Sequence, residues 1–299
     1  MIVDWHNTTA AMLALRLHSI GRSAPVLVAL ASRCEAWLGR RARAHLCVTN
    51  AMRTMLARDA GIEAALLPDL PPERFRPLSA TERQHFTERY ASLFGSREGD
   101  RPAVVVSPCG WTADDDFALL VAALRKWDAM LSERDPACSR PRALFLLTGD
   151  GERRREAGVQ LASTSFRCLS VHTHWFASDD YPFMLASADL GLSLHRSASG
   201  VDLPIKLSEM LGSGLPVCSL DYGEVLRERI DDGVNGVLFS TADGLASLLG
   251  ELLDTFPDAP RLSRMRSAVA AGRPERWEEA WTRVAAPLIG ALAGSRSAA

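Results

Sequence analysis

The sequence predicts an α/β protein of two Rossmann-like units, the first of them truncated. Three observations carry this expectation. The chain has 299 residues, long for one α/β domain and ordinary for two of about 150 residues each. Hydrophobic residues make up 47% and charged residues 23%, ample apolar side chain for packed cores and unlike a disordered or collagenous chain. Through the second half, short apolar runs alternate with amphipathic helical patterns, and strand alternating with helix implies a parallel sheet covered on both faces.

The chain opens on a strand over Ile2 to Asp4, which runs into Asp4-Trp5-His6-Asn7 and a helix starting near Thr8. Further strands are expected at His45 to Val48 and Ala64 to Leu67. Three strands are few for a doubly wound domain and no βα unit precedes the first, so residues 1–98 read as a partial domain cut short at its front. Gly95 to Pro102, rich in glycine, proline and charge, fits a boundary. Six buried strands then follow: Ala103 to Ser107, Ala143 to Thr148, Arg167 to Val171, Asp189 to Leu194, Leu215 to Leu220 and Gly236 to Ser240. Between them lie helical patterns such as DDDFALLVAALRKW and IKLSEMLG, and residues 99–256 read as one complete Rossmann-like domain. The tail, 257–299, holds two amphipathic patterns, the second with Trp277 and Trp281 on one face, expected to pack back onto the domains.

Thirty-four basic against 36 acidic residues leave a formal charge of −2, which argues against a global attraction to nucleic acid or anionic lipid. Almost every cation is arginine. Lys126 and Lys206 are the only lysines, so a lysine inside a motif carries weight. Cys34, Cys47, Cys109, Cys138, Cys168 and Cys218 form no C-x-x-C pair and read as reduced thiols. No apolar stretch approaches the roughly 18 residues of a membrane span, and the N-terminus lacks the basic and apolar regions of a signal peptide. Whatever would place the protein in a compartment is therefore expected outside this sequence.

The strongest constellation is SASGVDLPIKLSEMLGSGLPV, residues 197 to 217. A strand enters a polar loop, Pro204 stands near the start of a helix, and Lys206 and Glu209 lie three apart on that helix. The loop N–H groups and the positive helix end make an anion site, Lys206 adds a mobile charge beside it, and the Glu209 carboxylate can accept from both ribose hydroxyls. That geometry suits a nucleotide diphosphate. An ordinary helix start with a surface Lys–Glu pair fits the spacing equally well.

Three weaker elements accompany it. Gly149 and Gly151 follow a strand, as in the start of a dinucleotide fingerprint, but without the third glycine a tight βα turn fits better. Ser107 to Phe117 repeats the strand–turn–helix logic, with Thr112 as expected N-cap and three acids whose place in the first helical turn needs no ligand. At the N-terminus Asp4, Trp5 and His6 bunch at a strand's carboxyl end, the layout of a catalytic edge, or else Asp4 and Asn7 cap the helix while Trp5 packs. His172 and His174 share a strand face but no third ligand has metal spacing, so no metal site is expected.

DWHN (Asp4 to Asn7), AHLCVTNAMRTML (Ala44 to Leu56), SADLGLSLHRSASGVDLPIKLSEMLGSGLPV (Ser187 to Val217) and DDGVNGVLF (Asp231 to Phe239) together resemble the chitobiosyldiphosphodolichol β-mannosyltransferase family. The likeness runs in order from Asp4 to Trp281. The resemblance implies a GT-B fold and an inverting β-1,4-mannosyltransferase that adds the first mannose of the N-glycan precursor. GDP-mannose would be held mainly by the C-terminal domain, with dolichyl-diphosphate-linked chitobiose entering from the N-terminal side. Lys206 would face the donor diphosphate and Glu209 the ribose. Ser199, Gly200 and Asp202 would line the diphosphate and mannose end, while Ser107, Trp111, Thr112, Gly149 and Gly151 would edge the nucleotide pocket. His6 or Asp4 would be the catalytic base or orient the acceptor. The implied place is the cytosolic face of the endoplasmic reticulum membrane, with other glycosyltransferases of the pathway as candidate partners, and no cofactor, metal or nucleic acid.

The sequence departs from that family at its front, where an apolar anchor helix and a first Rossmann unit with a Gly-rich loop are expected. Two accounts follow: an active mannosyltransferase whose front part lies outside this sequence, or a shortened non-catalytic homologue acting as a binding partner in the same pathway. A nucleotide-sugar epimerase on the same two-domain fold is a third and weaker reading.

Overall fold

In a computed structural model of the protein, residues 1–94 and 101–297 are described. Residues 95–100, most of the expected linker, lie outside them.

The first unit runs β1 (Ile2–Trp5), α1 (Thr9–Ser19), α2 (Pro25–Gly39), β2 (Ala44–Cys47), α3 (Asn50–Met55) and β3 (Ala65–Leu66). Its three strands are parallel in the order β1-β2-β3, with Asp4 opposite Leu46 and Leu46 opposite Ala65. Thr8, and not Asp4 or Asn7, caps α1 by accepting from Ala11 N, while Trp5 is buried and donates through Nε1 to His45. Thr49 caps α3 in the same way, accepting from Met52 N. Both caps stand just beyond a strand's carboxyl end.

Two short helices follow, α4 (Ala80–Arg89) and α5 (Ala91–Phe94). The sequence reading assigned them to the first domain, and their packing corrects this. Phe75, Phe86 and Phe94 belong to the buried cluster that also holds Val104, Val106, Leu144 and Leu146 of the second sheet. Arg83 of α4 donates to the carbonyls of Ala186 and Ser187, which a helix end would otherwise leave open.

The second unit runs β4 (Ala103–Pro108), α6 (Phe117–Arg134), β5 (Ala143–Thr148), α7 (Arg154–Ala162), β6 (Leu169–Thr173), α8 (Tyr181–Ser187), β7 (Leu190–Ser193), α9 (Ile205–Gly212), β8 (Val217–Leu220), β9 (Gly236–Phe239) and α10 (Ala242–Leu253). All six strands are parallel in the order β6-β5-β4-β7-β8-β9. Alternate residues serve opposite layers. Ala103 and Val105 face the cluster built on Leu120, Leu124, Trp127 and Leu249, while Val104 and Val106 face Met184, Leu185, Leu207 and Met210. Each fully buried aliphatic side chain of this kind contributes about 1.5–3 kcal/mol. The strand order reverses between β4 and β7, and in such sheets the crevice outside the carboxyl ends opens there.

The tail divides between the units. In α11 (Pro260–Ala271), Leu262 and Met265 join the second sheet's core, and Arg266 meets the buried carboxylate of Asp189 at 2.9 Å. After α12 (Trp277–Ala280) and a π-helical turn, α13 (Ala286–Ser297) ends the described chain. Ala280 and Ala285 pack on Leu46, Leu67 and Leu70 of the first unit. The Trp277 and Trp281 rings stack on each other at 5.2 Å and are each a little over a third exposed, while the small side chains of Ala280 and Ala285 allow the close approach to the first unit.

Candidate functional site

The loop after β4 and the loop after β7 meet at the reversal point through a short antiparallel bridge between Asp115 and His195. Asp116 N donates to Leu194 O, and Arg196 N donates to Asp114 O. This pairing sets three consecutive acids against three basic side chains. Asp114 Oδ2 lies 3.0 Å from His195 Nδ1, Asp115 Oδ1 3.1 Å from Lys206 Nζ, and Asp116 Oδ2 2.9 Å from Arg196 Nη2. The sequence reading placed these acids in a helix's first turn with Thr112 as cap. The structure corrects that: Asp116 alone caps α6, accepting from Leu119 N, and Thr112 instead donates to Asp114. Asp115 also accepts from Gly110 N and Trp111 N, so a buried carboxylate organises the loop as well as the lysine.

Lys206 enters from the first turn of α9, a helix with Pro204 at its N-cap and no side-chain cap. Its leading N–H groups are thus uncovered by any capping side chain, as an anion site requires. Glu209, one turn on, accepts from Tyr181 Oη at 3.1 Å. Burial raises the Glu209 pKa, against the Tyr181 hydrogen bond and the nearby charges of Arg74 and Lys206. Burial likewise pushes the Tyr181 phenol well above its ordinary value. A desolvated carboxylate with one fixed donor retains acceptor capacity for a ligand's hydroxyls.

Between His195 and α9 the chain folds tightly on itself. Ser197 and Ser199 both donate to Asp202 Oδ1, the latter at 2.7 Å, and Tyr222 Oη donates to Asp202 O at 3.0 Å. Burial opposes the charged form of Asp202, yet His195 and the two serines outweigh it and lower its pKa. Gly200 sits at φ +72 with open space around its Cα, so its requirement is conformational. Val201 packs into the first unit's core, and Thr49 Oγ1 donates to its carbonyl. The carboxyl end of β2 therefore meets the loop that follows β7. A crevice of about 580 Å³ opens beside this junction, lined by Asn50, Thr54 and Arg58 on one side and Ser199, Val201 and Glu228 on the other.

Of the residues expected to edge the nucleotide pocket, four are engaged in packing, and Trp111 and Thr112 line a cavity with Asp115, Asp116 and Arg196. Ser107 is buried within β4, its hydroxyl 3.6 Å from Cys109 Sγ, and Trp111 is a core residue packed on Phe117. A Cβ on Gly149 would lie 1.9 Å from Cys109 O, and one on Gly151 2.1 Å from Gly110 O. These glycines let two loop backbones touch, a packing requirement that by itself accounts for both of them. Thr112 alone of this group is exposed.

At the end of β1, His6 stands between two carboxylates: Nε2 is 3.2 Å from Asp4 Oδ2 and Nδ1 is 3.2 Å from Asp69 Oδ2. Hydrogen bonds to Asp4 and Asp69 raise its pKa to about 10. Two carboxylates facing both ring nitrogens fit the imidazolium, which has two donors and no acceptor. In this cluster the carboxylate oxygens are the acceptors and the His6 ring the donor. His172 bonds to Ser170, and His174 packs against Phe176 and Tyr90.

The sequence reading missed His195, Asp69 and Tyr181 as parts of these clusters. Each meets its partner through the fold and not through local spacing: His195 pairs with Asp114, Asp69 with His6, and Tyr181 with Glu209. The polar character of the run after β7 was the one available signal. Among the described residues, no group of three His, Cys, Asp or Glu side chains is arranged to hold a metal ion. What the reversal point offers is an uncapped helix start, buried cations held by carboxylates, and a desolvated acceptor, a set suited to an anionic ligand that also carries hydroxyls.

Comparison with known proteins agrees with this chemistry. Residues 116–255 match the family described as Glycosyl transferases group 1. The chain is 36% identical to the chitobiosyldiphosphodolichol beta-mannosyltransferase of Pongo abelii, covering 97% of this chain and 67% of that protein. It is 34% identical to the UDP-glycosyltransferase TURAN of Arabidopsis thaliana, covering 96% and 70%. Among solved structures, a sucrose-phosphate synthase from Thermosynechococcus elongatus superposes with a TM-score of 0.67 at 17% identity, covering 99% of this chain and 68% of that one. At that identity the likeness shows the shared fold, which is GT-B.

Proposed function

The chain belongs to the chitobiosyldiphosphodolichol β-mannosyltransferase family, and on that premise we propose that this glycosyltransferase moves mannose from GDP-mannose to chitobiosyl-diphosphodolichol with inversion. The observation that carries the reading is the placement of Lys206 and Glu209 on the uncapped start of α9, at the point where the strand order reverses. Lys206 and the helix N–H groups would hold the donor diphosphate, Glu209 the ribose hydroxyls, and Ser199, Gly200 and Asp202 the mannose end.

In the proposed step the bond between mannose C1 and the diphosphate oxygen breaks, and its electron pair stays on that oxygen as GDP leaves. The acceptor's O4 forms the new bond to C1 from the opposite face. Its proton passes to a carboxylate, for which Asp4 is our assignment, with the His6 imidazolium orienting it. Preorganised positive charge at the leaving group lowers the barrier without reorganisation during the step. The dolichol-linked substrate in the relatives' names supports extending the reading to the cytosolic face of the endoplasmic reticulum membrane, beside other enzymes of that pathway. Among the described residues no helix is long and apolar enough to cross a membrane.

The test is mannose transfer from GDP-mannose to a lipid-diphosphate chitobiose, with the anomeric configuration of the product read by NMR, alongside thermal melts with GDP and UDP. A β-linked product and greater stabilisation by GDP than by UDP support the reading. A cooperative melt that no nucleotide shifts would overturn it and leave a non-catalytic homologue.

A further inference from the structure

His195 presents an unpartnered ring nitrogen at the reversal point. It stands just past β7, with its side chain 12% exposed. Nδ1 is fixed by Asp114 at 3.0 Å, and the ring meets Tyr222 edge to face at a centroid distance of 5.8 Å. Nε2 is buried and has no hydrogen-bond partner; Asp202 Oδ2, at 3.7 Å, is too far to accept. An unpaired buried polar nitrogen is costly to the fold, and a ligand oxygen arriving at its protonated form would recover that cost.

The neighbours define that ligand's charge. Burial opposes protonation of His195, but the carboxylates of Asp114 and Asp202 outweigh it and raise the pKa, while Lys206 acts in the opposite direction. With Asp114 Oδ2 3.0 Å from Nδ1 and Asp202 Oδ2 3.7 Å from Nε2, a carboxylate on each side favours the ring form that carries a proton on each nitrogen, and the ring stands within the field of Lys206, which rises from the open start of α9.

We propose that His195 is a diphosphate-binding residue, donating through Nε2–H to the terminal phosphate of the nucleotide and so stabilising it as it leaves the sugar. Asp114 positions the ring and fixes which nitrogen faces the ligand. No proton need change hands: the charge-assisted hydrogen bond shortens as negative charge collects on the phosphate. This rests on the nucleotide-sugar reading of the site.

The experiment compares GDP with GMP, which lacks the terminal phosphate, by calorimetry on the full chain and on His195→Ala and His195→Gln. The expected result is a loss of about 10- to 100-fold in GDP affinity for His195→Ala, unchanged GMP affinity, and partial recovery in His195→Gln, whose amide N–H can still donate. Equal losses for GDP and GMP, or no loss for either, in variants that melt like the parent would overturn the proposal. A parent chain that binds neither nucleotide would overturn the nucleotide-sugar reading itself, and this inference with it.

Discussion

Lys206 Nζ lies 3.1 Å from Asp115 Oδ1, and both side chains are largely buried. One of the chain's two lysines is thus held at the reversal point by a carboxylate that a donor diphosphate would have to compete with. Lys206→Ala should lower kcat by about 100-fold through lost stabilisation of the leaving group. Asp115 keeps its bonds from Gly110 N and Trp111 N in that variant, so the loop should stay folded. Asp115→Asn should do the reverse for binding, tightening GDP while costing the loop about 1 kcal/mol. Calorimetric GDP titrations and thermal melts of the two variants check both signs.

His6 gives a pH prediction. Its folded pKa is raised to about 10 by Asp4 and Asp69, above the ordinary 6.5. The stability this contributes is fully present below pH 6.5 and is lost as the pH rises through about 10. If the imidazolium orients Asp4, transfer should persist through neutral pH and decline toward pH 10. Asp69→Asn should bring that decline to lower pH. An activity that instead rises through pH 6.5 in the parent would assign His6 as the base.

Much of the fold is legible in the sequence, and the reason is local. The six strands of the second sheet are apolar runs within a buried layer, so β5 is found at Ala143–Thr148, where its own composition puts it without reference to anything distant. The start of α9 was equally readable, because Pro204, Lys206 and Glu209 are neighbours. Asp114, Asp115 and Asp116 were not, because three acids before an apolar run look like a cap whether or not a distant cation claims each one. Gly149 was ambiguous for a related reason: a glycine that admits a phosphate and one that admits another backbone have the same local sequence.

That ambiguity yields a stability test. A Cβ on Gly149 would meet Cys109 O at 1.9 Å, at a φ of +131. Backbone cannot move aside cheaply, and Gly149→Ala should cost about 3 kcal/mol or more. Gly200 has φ +72 and nothing within 4 Å, so Gly200→Ala should cost about 1–2 kcal/mol, the conformational penalty alone. Chemical denaturation of both variants reads the difference, and equal losses would contradict the packing role given to Gly149.

Glu209 sets stability against function. Burial raises its pKa, so the fold favours the neutral acid; the stability linked to that preference is complete at low pH and is lost as the pH rises through the raised value. Above that value the folded chain carries a desolvated charge that the Tyr181 hydroxyl and the fields of Arg74 and Lys206 only partly offset. Glu209→Gln keeps the shape and an oxygen for Tyr181 while removing the charge, and should raise the melting temperature of the free protein at about pH 7. The same change replaces an oxygen acceptor with an amide donor where the ribose hydroxyls are proposed to bind, and should weaken GDP by about 10- to 100-fold. A buried carboxylate retained at a cost in stability is expected where a ligand supplies the missing partners. A variant that is both less stable and unaltered in GDP affinity would make Glu209 a structural partner of Tyr181 and nothing more.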